Sequence, residues 1–219
     1  MKKLLCLSTI FLANVSSLYA EVSSTYDEPS GALEITSDIA VPGVGDSFVL
    51  KCTNGNLLIN DLAPNIGTLK CSDIETLDVF GGAGNDNIDL SKFNVRNVEP
   101  TIFGDAGNDT IIGSKKSDLI FGGEGNDNID GDKGSDVING EGGDDTISGK
   151  AGRDTLDGGE DNDTIRGGNG PDTITGGNGD DDLSGERGRD NIDGGEGNDI
   201  IDDTKGNNSC SNGETVNCR

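Results

Sequence analysis

Twelve aspartates in this sequence stand in one fixed frame, and their chemistry is that of a hard-cation binder. They are Asp86, Asp109, Asp118, Asp127, Asp136, Asp145, Asp154, Asp163, Asp172, Asp181, Asp190 and Asp199. From Asp109 onward each follows the last by nine residues. Carboxylate oxygens are hard ligands that suit Ca²⁺ and related ions. Neighbouring acids such as Asp144 and Asp145 could in isolation serve general acid/base work, but their regular recurrence reads as metal ligation. The chain has no His, which removes zinc-protease motifs and Ser-His-Asp triads. No enzyme is expected.

The frame is a nonapeptide. Gly104 to Asp202 divides into eleven consecutive nonapeptides without a gap, and a twelfth copy, Gly81 to Asp89, precedes a 14-residue insertion, Leu90 to Phe103. Position one is always Gly, position six Asp and position eight Ile or Leu, as in Gly122-Gly123-Glu124-Gly125-Asn126-Asp127-Asn128-Ile129-Asp130. A disordered Gly/Asp tract has no reason to hold three positions in phase over that length. Gly at positions one and four is expected to supply positive φ and to let carbonyls approach an ion. Positions seven to nine then form a three-residue strand with the aliphatic residue inward. One apolar residue per strand is a thin core, so folding should be coupled to metal binding.

This pattern resembles the GGxGxDxUx repeat of the hemolysin-type, or RTX, calcium-binding family. The resemblance implies an all-β, right-handed parallel β-roll with two nonapeptides per coil and several Ca²⁺ ions between turns on the same side. Its ligands would be the twelve aspartates. Same-side turns are then two repeats apart, so that Asp127 neighbours Asp145 and Asp145 neighbours Asp163. On the order of 8–10 ions would fit. Some repeats depart from the pattern. Lys116 stands where the position-four Gly belongs, which puts the site of Asp118 in doubt, and Asp161 fills the same place in its own repeat. Arg153, Arg189 and Pro171 occupy position five and are expected to face solvent.

The rest of the chain supplies an address and two ends. Lys2 and Lys3 precede an apolar run from Leu4 to Val15 and a stretch ending in Ala20, which reads as a secretory signal peptide cleaved after Ala20. Secretion to the medium or the cell surface of a bacterium follows, with the periplasm as the other destination. Residues 21–80 read either as a degenerate β-solenoid run-in or as a small separate β domain. Residues 81–202 are the roll and 203–219 a C-terminal cap, in which Asn208 replaces the site Asp and Cys210 the inward aliphatic residue. Solenoids need such altered terminal units to close their cores. An even set of cysteines in an exported chain suggests disulfides, and proximity favours Cys52–Cys71 and Cys210–Cys218.

Thirty-six glycines and a formal charge of −25 argue against nucleic acid and anionic membranes as partners and for cations. Position three, the place checked for the Thr ladder of an ice-binding face, carries none. The function expected is a secreted calcium-binding repeat protein acting as a surface, matrix or adhesion module. A non-catalytic accessory to an RTX toxin or enzyme is the alternative, and the protein or surface partner is unassigned.

Overall fold

The structure, a computed structural model, describes residues 70–203, 205, 206 and 208–218 with their side chains. Before residue 70 it describes the course of five strands, Ser8–Phe11, Glu21–Asp27, Ala32–Ser37, Ser47–Thr53 and Asn56–Ile59.

Within the repeats, each strand pairs in parallel with the strand one coil away rather than with its neighbour in sequence. In one sheet Ile120 lies opposite Ile138 and Leu156 opposite Ile174. In the other, Ile129 lies opposite Ile147 and Ile165 opposite Leu183. Two nonapeptides therefore make one coil, as the RTX resemblance implies. The position-eight side chains of both sheets point inward and are almost wholly buried, forming one continuous aliphatic column. The all-β parallel roll expected from the sequence is the fold. Among the described residues the helical element is a 3₁₀ turn, Cys71–Asp73, and no helix is long and apolar enough to cross a membrane.

Two local expectations are corrected. Most strands span six residues rather than three, running from position seven through position three of the next repeat, as in Val137–Gly142 and Thr155–Glu160. Pairing resumes beyond the first Gly, with Glu141 opposite Gly159 and Gly142 opposite Glu160, while Gly140 drops out of the ladder. The left-handed backbone lies at positions two and four, not at position one. Gly159, Glu141 and Lys150 at position two have φ of 117°, 76° and 68°, and Gly125 and Asp161 at position four have 126° and 74°. No position-one Gly takes such a φ. Its requirement is space. A Cβ on Gly122 would lie 2.5 Å from Asp127 Oδ2 and 2.7 Å from the carbonyl oxygen of Gly140 on the next coil.

The 14-residue insertion widens one coil without leaving the solenoid. Asp86 and Asp109 are coil neighbours at a separation of 23 residues, where regular neighbours are 18 apart. Leu90, Phe93, Val95 and Val98 turn inward and fill the wider section, and Thr101–Ala106 rejoins the sheet. Val79 and Ile102, expected on the inward phase, are both fully buried and lie opposite each other. Outside the same sheet Phe80, Phe103 and Phe121 stack in series, with ring centroids 4.8 and 5.1 Å apart. Both sheets continue into the earlier strands, Thr76–Phe80 pairing in parallel with Ala32–Ser37 and Asn87–Lys92 with Ser47–Thr53.

At the other end Ser209–Ser211 and Thr215–Cys218 are the last strands of the two sheets. Cys210 lies opposite Ile192, packs on the core as expected, and forms a disulfide with Cys218 that ties the two strands together. Cys71 is also disulfide-bonded. The side chain of Cys52, its expected partner, lies outside the described residues.

The close approach at position one generates a test. In Gly158→Ala the new methyl would overlap Asp163 Oδ2 and the Gly176 carbonyl, an overpacking that costs about 1–3 kcal/mol. In Gly142→Ala, at position three, the nearest neighbour is the mobile end of Glu124 at 3.6 Å. Thermal unfolding in calcium should show Gly158→Ala clearly destabilised and Gly142→Ala close to the parent.

Candidate metal sites

The strands place the twelve aspartates in two rows, one at each edge of the roll. Asp86, Asp109, Asp127, Asp145, Asp163, Asp181 and Asp199 form the first row, and Asp118, Asp136, Asp154, Asp172 and Asp190 the second. Each is at most 3% exposed. In the first row the backbone amide of each Asp but the last, Asp199, donates to Oδ1 of the Asp one coil later. Examples are Asp109 N to Asp127 Oδ1 at 2.7 Å and Asp145 N to Asp163 Oδ1 at 2.8 Å. The second row continues the same link from Asp118 N to Asp136 Oδ1 at 2.9 Å and ends with Asp190 N to Asn208 Oδ1 at 3.0 Å. The neighbour relations expected for Asp127, Asp145 and Asp163 are thus the ones formed.

One oxygen of each carboxylate is used in this way, and the other is not. Oδ2 of Asp109, Asp127, Asp136, Asp145, Asp154, Asp163, Asp172, Asp181, Asp190 and Asp199 is buried without a hydrogen-bond partner. Buried polar atoms are normally satisfied, and a recurring exception requires a reason. The ion pair Lys150–Asp130, at 3.2 Å on the outer face, does not touch these rows. Burial accordingly raises the carboxylates from 3.8, to about 7 for Asp109, Asp127 and Asp163 and to about 8 for Asp136. The amide bond from the preceding Asp opposes that shift, and the next carboxylates in the row reinforce it.

The orphaned oxygens also lie close to main-chain carbonyl oxygens. The space a Cβ would take on Gly131 lies 2.6 Å from Asp136 Oδ2 and 3.1 Å from the Gly149 carbonyl oxygen of the next coil. In most of the turns an anionic oxygen and a neutral carbonyl from successive coils are thus brought near each other. Among the described residues no three acidic, His or Cys side chains gather on one point, so an ion held here takes most of its ligands from the main chain. Ca²⁺ accepts six to eight oxygens, carbonyls included, in flexible geometry. The residues present fit it.

The sequence model for the RTX calcium-binding nonapeptide repeat, in four copies, matches residues 78–94, 103–138, 121–156, 139–174, 157–192 and 175–210. These windows cover more than half of the chain. The chain belongs to the RTX calcium-binding nonapeptide repeat family. A search among curated proteins finds no match.

Within this RTX roll Asp118 stands apart. Its Oδ2 accepts from Ser114 N at 2.6 Å and its Oδ1 from Ser114 Oγ at 2.7 Å. Ser114 is at position two, where other described repeats have left-handed φ, and it does not. The doubt that Lys116 raised about this repeat is met by a different residue, since Ser114 closes the turn on its own carboxylate. Sequence reading missed Ser114, although a hydroxyl at position two was the available signal. It also missed Asp203, a carboxylate 1% exposed at position one of the unit 203–211. Arg153, Pro171 and Arg189 do face solvent, as expected, and Asp161 does take positive φ.

The rows are also stitched differently at position five. In the first row Asn126 N donates back to Asn108 Oδ1 at 3.1 Å and Asn162 N to Asp144 Oδ1 at 3.0 Å. In the second, Ser135 N donates to Ser117 Oγ at 3.1 Å, and Pro171 has no amide proton to give.

Two expected outcomes follow from this geometry. Asp145→Ala should lower the number of bound Ca²⁺ ions and the calcium-dependent gain in melting temperature. Asp118→Ala should leave the ion count unchanged and cost about 1–3 kcal/mol equally with and without calcium, through the stranded Ser114 donors. Equilibrium dialysis and melting curves distinguish the pair.

The second outcome concerns pH. Carboxylates raised in the fold bind more protons there than in the unfolded chain, so in chelator the roll is steadied below pH 4 and loses that support as pH rises through about 6–8. Calcium must displace those protons. Binding at pH 7 should release protons in a pH-stat titration, and calcium affinity should fall between pH 8 and pH 5.5.

Proposed function

We propose that this RTX protein is an exported, non-catalytic calcium-binding module that folds as calcium binds outside the cell. As a stiff roll it would serve a surface, matrix or adhesion structure. The observation that carries this reading is the double row of buried Asp Oδ2 atoms without protein partners. Each row concentrates negative charge where water is excluded, and a divalent cation relieves that charge while joining two turns. Metal binding free energy then becomes folding free energy. Extracellular calcium modules work at about 0.1–1 mM, a level the medium outside a cell supplies.

The non-catalytic part of the proposal rests on the absence of His from the chain and on the uniform roles of the aspartates. Each ladder carboxylate is committed to a turn, not to a cleft shaped for a substrate. Export rests on the basic, apolar and small-residue order of residues 1–20. The number of ions proposed is about 8–10, below one per Asp because each ion bridges two turns and the Asp118 turn is closed by Ser114.

Far-UV circular dichroism over a calcium titration tests the coupling. In excess chelator at pH 8 residues 81–202 should be largely unordered, and millimolar calcium should produce a β spectrum with a steep, cooperative midpoint. A β spectrum unchanged by calcium would refute it. N-terminal sequencing of exported protein should begin at Glu21, and an intact Met1 on secreted material would overturn the export assignment.

A further inference from the structure

The unit 203–211 departs from the repeat at two places that compensate each other. Position six, always Asp in the complete repeats, is Asn208, and position one, always Gly, is Asp203. In a regular turn the position-six Asp Oδ2 lies close over the position-one Gly, within 2.6 Å of where a Cβ would start. A carboxylate grown from position one therefore enters the region that a position-six carboxylate otherwise occupies. Asn208 keeps the structural half of the old role, with its Oδ1 accepting from Asp190 N at 3.0 Å. The ionic half is left to Asp203.

The surroundings of Asp203 agree. It is 1% exposed, and neither Oδ1 nor Oδ2 has a hydrogen-bond partner. Asp190 is near enough to repel it, while the backbone amides of Lys205 and Glu186 lie close enough to its carboxylate to offset part of that repulsion. Asp190 Oδ2 is itself buried and unpartnered. Two buried carboxylates from successive coils and three unsatisfied oxygens demand a cation.

We propose that Asp203 and Asp190 form a terminal calcium site, closing the second row with a ligand drawn from position one instead of position six. The inference rests on the calcium-binding reading of the roll. The pair offers three unpartnered carboxylate oxygens where two successive aspartates of a row offer two, and Ca²⁺ takes six to eight oxygen ligands. This site should therefore fill at lower calcium than those of the interior.

The test uses the full mature chain, with calcium itself as the probe. Bound Ca²⁺ per chain is counted by equilibrium dialysis, and hydrogen exchange of Ser209–Ser211 is followed at rising calcium. Asp203→Asn should bind one ion fewer and lose the early calcium-dependent protection of that strand. The double variant Asp203→Gly with Asn208→Asp returns the carboxylate to position six and should restore the ion. If Asp203→Asn holds as many ions as the parent, or the exchanged pair fails to recover the lost one, the terminal site is wrong while the interior sites stand. A parent chain that binds no calcium would sink both readings.

Discussion

Everything in this molecule depends on how one buried carboxylate divides its two oxygens. Oδ1 accepts an amide proton from the preceding coil, which fixes the spacing and register of the stack. Oδ2 is held in a dry turn with no partner of its own. The first contact is structural and independent of metal, while the second is a standing demand for positive charge. Because the same side chain does both, the register of the coils and the placement of the ions cannot drift apart. A shift of one residue would move the aliphatic column out of the core and take every carboxylate off its amide at once.

The period of nine was legible because three positions obey different constraints at the same spacing. Position eight must be aliphatic to fill the interior, position six must be Asp to serve both oxygens, and position one must be Gly. The reason for that last Gly was not legible. Composition cannot tell a glycine needed for left-handed backbone from one needed for close approach, and here the left-handed places tolerate Glu141, Lys150 and Glu186 while position one tolerates no Cβ in the complete repeats. Strand length was underestimated for a related reason. Gly pairs usually mark turns, yet the backbone after the first Gly is still within pairing distance of the next coil.

Departures from the repeat were less readable than the repeat. Lys116 advertised a damaged turn but not how it is mended, because the mend comes from Ser114, two residues upstream, whose donors have meaning only once the turn is built. The insertion read as an interruption. In space it is a wider coil whose buried Phe93 and Leu90 join the same core cluster as the position-eight residues on either side. Residues 203–211 read as decay of the motif. Cys210 keeps the inward place, and Asn208 keeps the amide link.

The disulfide between Cys210 and Cys218 has a consequence for how the protein behaves in company. A parallel solenoid finishes in an open row of backbone donors and acceptors, and such an edge is a template on which another chain can add. Here the final strands of the two sheets are only three and four residues long, and the covalent bridge holds them to one another across the mouth of the roll. A short edge with a locked backbone offers few matching groups to an incoming strand. The bridged pair is therefore a poorer template for another strand than a regular six-residue rung of the same roll would be.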